Sequence, residues 1–420
     1  MLARIAVLLA IAPLCAPPQD KEMGEARKYK ILFAGKRGSE REKRFIQLLL
    51  PKFGRVDAIS LEQLDARSAA PYDVVVADWE RRYAHGGYQE KKPRLKLDEN
   101  FSKPIVMIGA IAGEIQKRSK IDSYELGLMN EAHGMRLDHA IFKGPLEPKL
   151  EHTLLPTPER YRKGPQGKDL PAQLEIWIVQ NGQVTKEIDY GLVANPLGFE
   201  DSPDAESISG GSNSRAGGAV ALGRHGNFFL WGFAGDPGQM TESARRVFVN
   251  AICYMKRFDG RKPLSPVVSP ARETAYVWIQ WLRDTPGVKV PDWAKKVFPL
   301  EVQEATELKP DRLEAWYREN YEWICPSGEG LGADPDLKAL KVPNRTAAFW
   351  EAVLGRLAKD EKDEVAWRLV GRCHGKSLKT AAEVKAWVEE NRPYLFFTDV
   401  GGYRWMVDEY AKREAAPKGK

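Results

Sequence analysis

Short apolar runs alternate with amphipathic stretches over the first part of the chain. Lys30 to Gly35, Val56 to Ile59, Tyr72 to Asp78 and Lys103 to Ile108 are short, apolar runs of the kind buried parallel strands show. Helix signals fall between them. Ser39 with Glu42 and Ser60 with Gln63 have the spacing of capping boxes. Phe45, Ile46, Leu48 and Leu49 mark the buried side of the first helix. Leu174 to Val179 reads as a further strand. Ala219 to Gly223 and Phe228 to Phe233 flank a Gly226-Asn227 turn as a hairpin. Thr241 then caps a helix whose apolar positions Ala244, Val247, Phe248, Ala251, Ile252 and Met255 share one face. This alternation predicts an α/β fold, a flavodoxin-like, doubly wound, mostly parallel sheet with helices on both faces. The polar stretches 80–100 and 143–172 read as irregular surface segments. Ser207 to Gly218, rich in Gly and Ser, reads as a loop able to form a lid over the crevice.

The pattern changes near residues 262–272. Strand-like runs become rare and Trp-rich helical stretches take over. Thr274-Ala275-Tyr276-Val277-Trp278 is echoed by Thr346-Ala347-Ala348-Phe349-Trp350. Leu313 to Trp316 with Glu319-Asn320 is echoed by Val384 to Trp387 with Glu390-Asn391. The offsets, 346 − 274 = 72 and 387 − 316 = 71, predict a mainly helical domain of two repeated units packed through Trp. At helical spacing those Trp side chains read as core; the alternative is a carbohydrate-stacking surface. The division expected is a signal peptide (1–16), a polar linker (17–27), the α/β domain (28–262), the helical domain (272–414) and a disordered tail (415–420).

Composition adds location and exclusions. Arg4, the apolar run Ile5 to Leu14 and the small-residue exit after it read as a secretory signal peptide. The run is too short to span a bilayer, so the expectation is an extracytoplasmic protein, periplasmic or secreted, that meets the membrane only through that peptide. Leu14 precedes Cys15 where a lipoprotein signal needs a small residue, which argues against lipidation. The net charge of +6 is spread without a basic stripe, so no nucleic-acid partner is expected. Cys253, Cys325 and Cys373 have neither zinc-site nor disulfide-scaffold spacing. Cys253 reads as a small buried apolar residue, and Cys325 with Cys373 is the one pair that could bridge.

The chemistry centres on Gly109-Ala110-Ile111-Ala112-Gly113, directly after the fourth strand. Paired glycines at that spacing permit a sharp strand-to-helix elbow, which holds its central side chain up at the sheet edge. This resembles the class I glutamine amidotransferase-like superfamily, whose elbow carries G-x-C-x-G. Ile111 stands at the cysteine position and cannot be a nucleophile. The segment matching that family's catalytic histidine, Phe233-Ala234-Gly235-Asp236-Pro237, has no histidine. Glutamine hydrolysis is therefore not expected. Leu137-Asp138-His139-Ala140-Ile141-Phe142-Lys143-Gly144 resembles the D-H-P-I-x-x-G motif of the ThuA-like (trehalose-utilisation-like) branch, with Ala140 for Pro. That resemblance covers about 28–260 and implies an extracytoplasmic, sugar-related setting. The C-terminal part resembles segments of large secreted proteins of planctomycete-type bacteria.

Two further groups are candidates. His133, Asp138 and His139 are ligand and acid–base types. His133 and His139 are six apart, which fits no single helical face, so His139 serves either a loop cap or a site. His225, in the hairpin turn, is expected to be exposed. Gly35-Lys36-Arg37, at the end of the first strand, offers an anion a helix N-terminus. In a doubly wound fold it lies beside the elbow. The expected ligand crevice is thus Gly35, Lys36, Arg37, Gly109, Ala110, Ile111, Gly113, Gly235 and Asp236, with Ile111 as its floor. No metal and no cofactor is expected. The function expected is a catalytically degenerate binding module of the cell envelope, taking a small molecule, a carbohydrate among the candidates, or an envelope protein. The alternatives are a ThuA-like carbohydrate-active enzyme using His133, Asp138 and His139, and a structural protein that docks a partner.

Overall fold

The computed structural model describes residues 21–79, 83–84, 87–88, 95–115, 118–121, 123–124, 128–162, 167, 170–182, 191–213, 216–287, 309–327, 330–375 and 378–416. The expected signal peptide, 1–16, and most of 80–94 lie outside these.

The α/β domain comprises β1 (Lys30–Gly35), α1 (Glu40–Leu49), β2 (Arg55–Ser60), β3 (Val74–Asp78), β4 (Ile105–Ile108), β5 (Glu131–His133), β6 (His152–Pro156), β7 (Gln173–Ile178), β8 (Ala205–Gly211), β9 (Val220–His225), β10 (Phe228–Trp231) and α2 (Glu242–Met255). The strand order is β2-β1-β3-β4-β10-β9-β8-β5-β7-β6. The first five are parallel, in the flavodoxin-like order. The other five continue the sheet antiparallel.

The parallel strands β1, β3, β4 and β10 are buried on both faces, while β2, at the sheet edge, is only partly covered. Ile31, Phe33, Val74, Val76, Val106, Ile108, Phe229 and Trp231 face α1 and α2. Leu32, Ala34, Val75, Ala77, Ile105, Met107, Phe228 and Leu230 pack on Leu61, Leu64, Phe101, Ile111 and Ile115 across the sheet. Ser39 caps α1 by accepting from Glu42 N–H, and Thr241 caps α2 by accepting from Ala244 N–H. Phe33, Phe45 and Phe248 stack in succession, with centroids 5.2 and 5.8 Å apart, and fix both helices on that face.

Three segments differ from expectation. The expected linker, 17–27, is described from residue 21, where it lies in a 3₁₀ segment (Lys21–Lys28) whose Met23 and Ala26 are buried in the core. Its polar composition hides two apolar anchors. Within 143–172 lies the edge strand β6. The expected lid, Ser207 to Gly218, begins as β8, deep in the sheet. Its glycines are small because their neighbours are close: a Cβ on Gly210 would lie 2.7 Å from the His133 ring, and one on Gly211 2.8 Å from Ala221.

The helical domain comprises α3 (Glu273–Asp284), α4 (Pro310–Asn320), β11 (Ile324–Ser327), β12 (Gly330–Ala333), α5 (Pro335–Leu340), α6 (Ala348–Lys359), α7 (Glu364–His374), α8 (Ala381–Asn391), β13 (Leu395–Thr398), β14 (Arg404–Val407) and α9 (Glu409–Ala415). One sequence of elements occurs twice: helices, then an antiparallel hairpin, then a short helix. Fine details repeat too. Asn320 Nδ2 donates to the Trp316 carbonyl, as Asn391 Nδ2 does to Trp387. Asp334 N–H donates to the Trp323 carbonyl, as Asp408 N–H does to Tyr394. Trp350 and Trp405 are buried in the domain core, and Trp278, Trp316 and Trp387 pack against it.

Candidate functional site

Gly109 makes the elbow. Its φ of +56° is left-handed, and β4 turns there into a 3₁₀ segment, Gly109–Ile115. A Cβ at Gly109 would lie 3.2 Å from the Ala234 Cβ, so the β10 exit loop presses directly on the turn. Ile111 is 0% exposed and belongs to the core. Ala112 and Ile115 are buried beside it.

The polar groups around the elbow are engaged with one another. Arg41 donates to both carboxylate oxygens of Asp78, at 2.6 and 2.7 Å, from the first turn of α1 to the end of β3. Arg44 donates to Asp236 at 2.9 and 3.2 Å. Arg37 donates to Glu42 at 3.0 Å, so the α1 N-terminus already holds a carboxylate from its own first turn. Gly235 N–H donates to Gln180 Oε1 at 2.7 Å. The crevice edge is thus lined by three ion pairs and the Gly235–Gln180 contact, laid over an apolar floor.

His133, Asp138 and His139 do not converge. His133 ends β5, four strand positions from β4, or ~19 Å across the sheet. Asp138 is exposed. His139 caps a 3₁₀ turn, Ala140–Phe142. Its ring packs edge-on to Tyr254 at 4.7 Å, and its Nε2 lies 3.4 Å from Glu206. Arg224 and Tyr254 donate to the same Glu206 oxygen, at 2.9 and 2.6 Å. Burial raises the Glu206 carboxyl, but the His139, Arg224 and Tyr254 contacts outweigh it and hold the group well below the ordinary carboxylate range. Among the described residues, no three His, Cys, Asp or Glu side chains are grouped to hold a metal ion. Cys253, Cys325 and Cys373 are free thiols. Burial pushes Cys253 and Cys325 up to about 12.

His225, expected to be exposed, is fully buried. The turn after it is covered by other chain segments. A Cβ on Gly226 would lie 2.5 Å from Pro263 N, and Asn227 Nδ2 donates to the Lys103 carbonyl. His225 Nδ1 accepts from Lys120 N–H at 3.0 Å. The ring proton therefore sits on Nε2, which faces Asp204 Oδ1 at 3.5 Å. Burial lowers the pKa of His225, with Lys120 and Arg224 adding to the effect and Asp204 opposing it. Burial raises Asp204, yet His225, Leu264 N–H and the Ser202 hydroxyl hold it well below the ordinary range.

This cluster reaches the joint between the domains. Ser202 bridges Lys120 Nζ and Asp204, and Lys120 pairs with Asp201. Asp201 then accepts from the Thr398 hydroxyl at 2.9 Å and from Val400 N–H at 3.1 Å. Beside it, Arg272 donates to both oxygens of Asp399, at 2.7 and 2.8 Å. Two cavities of about 460 and 470 Å³ flank Leu197–Gly198 at this joint. One holds Glu273, Arg345 and Phe397; the other holds Asn195, Thr274 and Trp278. Sequence reading missed this joint because its members are scattered from Lys120 to Val400. The one local signal was the acidic pair in Asp201-Ser202-Pro203-Asp204.

No protein-family model matches the chain, and no curated protein is significantly similar to it. Among solved structures, it is similar to a candidate GMP synthase subunit from Thermoplasma acidophilum. That likeness is 14% identical, covers 55% of this chain and 96% of the other, and has a TM-score of 0.29. A superposition at that score carries no argument; the strand order itself defines the fold.

Proposed function

We propose that the protein is an exported binding module of the cell envelope, with a class I amidotransferase-like α/β domain that performs no glutamine hydrolysis. The observation that carries this reading is Ile111. It stands at the elbow position where that chemistry requires a thiol, fully buried, with Ala234 packed on the turn. The residues an acid–base mechanism would use are spent on structure: Asp78 and Asp236 on arginines, His139 on Glu206.

The ligand of this module is a carbohydrate taken at the interdomain joint. Cavities at domain interfaces are common ligand sites. This joint offers what polyol recognition uses, an indole (Trp278) with amide, hydroxyl and charged groups around it. The repeat domain, pinned through Asp201 and bearing Arg272–Asp399, provides the second wall.

The test is a thermal-shift screen of the full mature chain against mono- and disaccharides, repeated with Trp278→Ala. A rise in Tm of ~2 °C or more for one sugar, lost in the variant, supports the reading. A flat response across the panel sinks the carbohydrate assignment. Ammonia release from glutamine would overturn the non-catalytic assignment, and a purely cytoplasmic fractionation would overturn export.

A further inference from the structure

The far end of the sheet holds a third cavity, unrelated to the elbow or the interdomain joint. His133, on β5, lies between Ile176 of β7 and Gly210 of β8. The residue is 2% exposed, and its ring packs on Tyr161 at 5.8 Å. Its Nε2 is buried and has no hydrogen-bond partner among the described residues. Buried polar atoms are almost always satisfied, so an orphaned ring nitrogen calls for an explanation.

The state of the ring can be worked out. Burial lowers His133 to about 4, and the Gly211 backbone beside it opposes the drop only in part. At neutral pH the ring is therefore uncharged. With Nε2 unpartnered among the described residues, we assign the Gly211 backbone contact to Nδ1. Nδ1 then carries the proton, and Nε2 presents a bare lone pair, able only to accept.

His133 is one of the residues lining a cavity of about 460 Å³. The walls include Met135, Leu154, Leu170 and Leu174, with Gln173 and Ser207 as the uncharged polar groups. Leu154, on the edge strand β6, is 61% exposed and forms an apolar lip. Glycines keep the walls thin: a Cβ on Gly210 would lie 2.7 Å from the ring, and one on Gly217 2.9 Å from Tyr161. Glu175, the charged residue in the wall, lies 3.6 Å from His152.

We propose that this cavity binds a small, neutral, mainly apolar molecule bearing one hydroxyl, whose O–H donates to His133 Nε2. An anion finds no positive charge at an uncharged imidazole and meets Glu175 at the wall. An ammonium would have to be stripped of water against leucine and methionine. A hydroxyl satisfies the lone pair, and the apolar body covers the leucines. A metal does not fit, because the described residues offer no second and third ligand there.

The test is isothermal titration of the full mature chain with 4-methylphenol and with 4-methylanisole, which has nearly the same body but no donor. The phenol should bind at least tenfold more tightly than the ether. His133→Phe, which keeps a ring but removes the acceptor, should bind both alike. If that variant does not fold, ¹⁵N NMR of the wild type replaces it: the His133 Nε2 resonance should move with the phenol and stay with the ether. Equal affinity of the wild type for both probes, or no binding of either, overturns the proposal.

Discussion

Ile111 is where a single side chain decides what the protein can do. Ile111→Cys should restore the thiol of an amidotransferase elbow but no glutamine hydrolysis, since the buried position has no histidine in Phe233–Pro237 to activate it. The lost methyl groups should cost about 1–3 kcal/mol of stability, read by urea denaturation. Ammonia release above the wild-type background would refute this account. The buried imidazoles set a second residue-scale prediction. Unfolded, His133 titrates near 6.5; folded, it titrates at about 4. The unfolded chain therefore binds more protons between those values, so stability falls as pH drops through that window. At ~1.4 kcal/mol for each tenfold in proton affinity, His133 alone is worth roughly 3 kcal/mol. His225 acts in the same direction. Urea unfolding at pH 7 and pH 4.5 should show the loss, and His133→Phe should reduce it; equal stability at the two pH values would contradict the assignment.

At the scale of elements, what could be read from the sequence followed burial. β1, β3, β4 and β10 are covered on both faces, so each is an unbroken apolar run and was legible. β8 was not, because its glycines answer to close neighbours rather than to a turn. β6 was not, because all five of its residues are exposed. The elbow was legible from its glycines. The burial of His225 was not, because it depends on the linker at Pro263 covering a turn that looks open in sequence. The repeat was legible through Trp and Asn, whose backbone contacts recur in both units. It supports a paired prediction. Asp334 and Asp408 both cap a short helix with their side chains. Asp408→Ala should cost about 1 kcal/mol, the usual worth of an N-cap. Asp334→Ala should cost more, because Asp334 also pairs with Arg372 at 2.8 Å. Equal losses in denaturant titrations would show that the pairing adds nothing.

For the whole molecule, Asp201 is, among the described residues, the most buried polar tie at the joint, alongside the exposed Arg261–Glu414 and Lys262–Tyr410 contacts. It ties Lys120 of the α/β domain to Thr398 and Val400 of the helical domain. Asp201→Ala leaves the buried Lys120 ammonium without its nearest carboxylate, a kind of loss that typically costs ~3–5 kcal/mol. Calorimetry should show one transition for the wild type and two for the variant, because the helical domain keeps its own core. One unsplit transition at the wild-type Tm would mean that the domains are coupled elsewhere.

The place of β10 in the sheet bears on how the chain is made. β4 ends at Ile108, and the strand that covers its open side begins at Phe228. During synthesis, the four preceding parallel strands can assemble long before that strand exists. Until then β4 presents an apolar, unpaired edge, the kind of surface that recruits other chains. β10 is therefore the closing piece, and the hairpin that delivers it, with β9 already attached, joins the two halves of the sheet in one step. A ribosome-bound chain that stops short of about residue 231 should be caught by holdase chaperones, and a chain extended through α2 should be released.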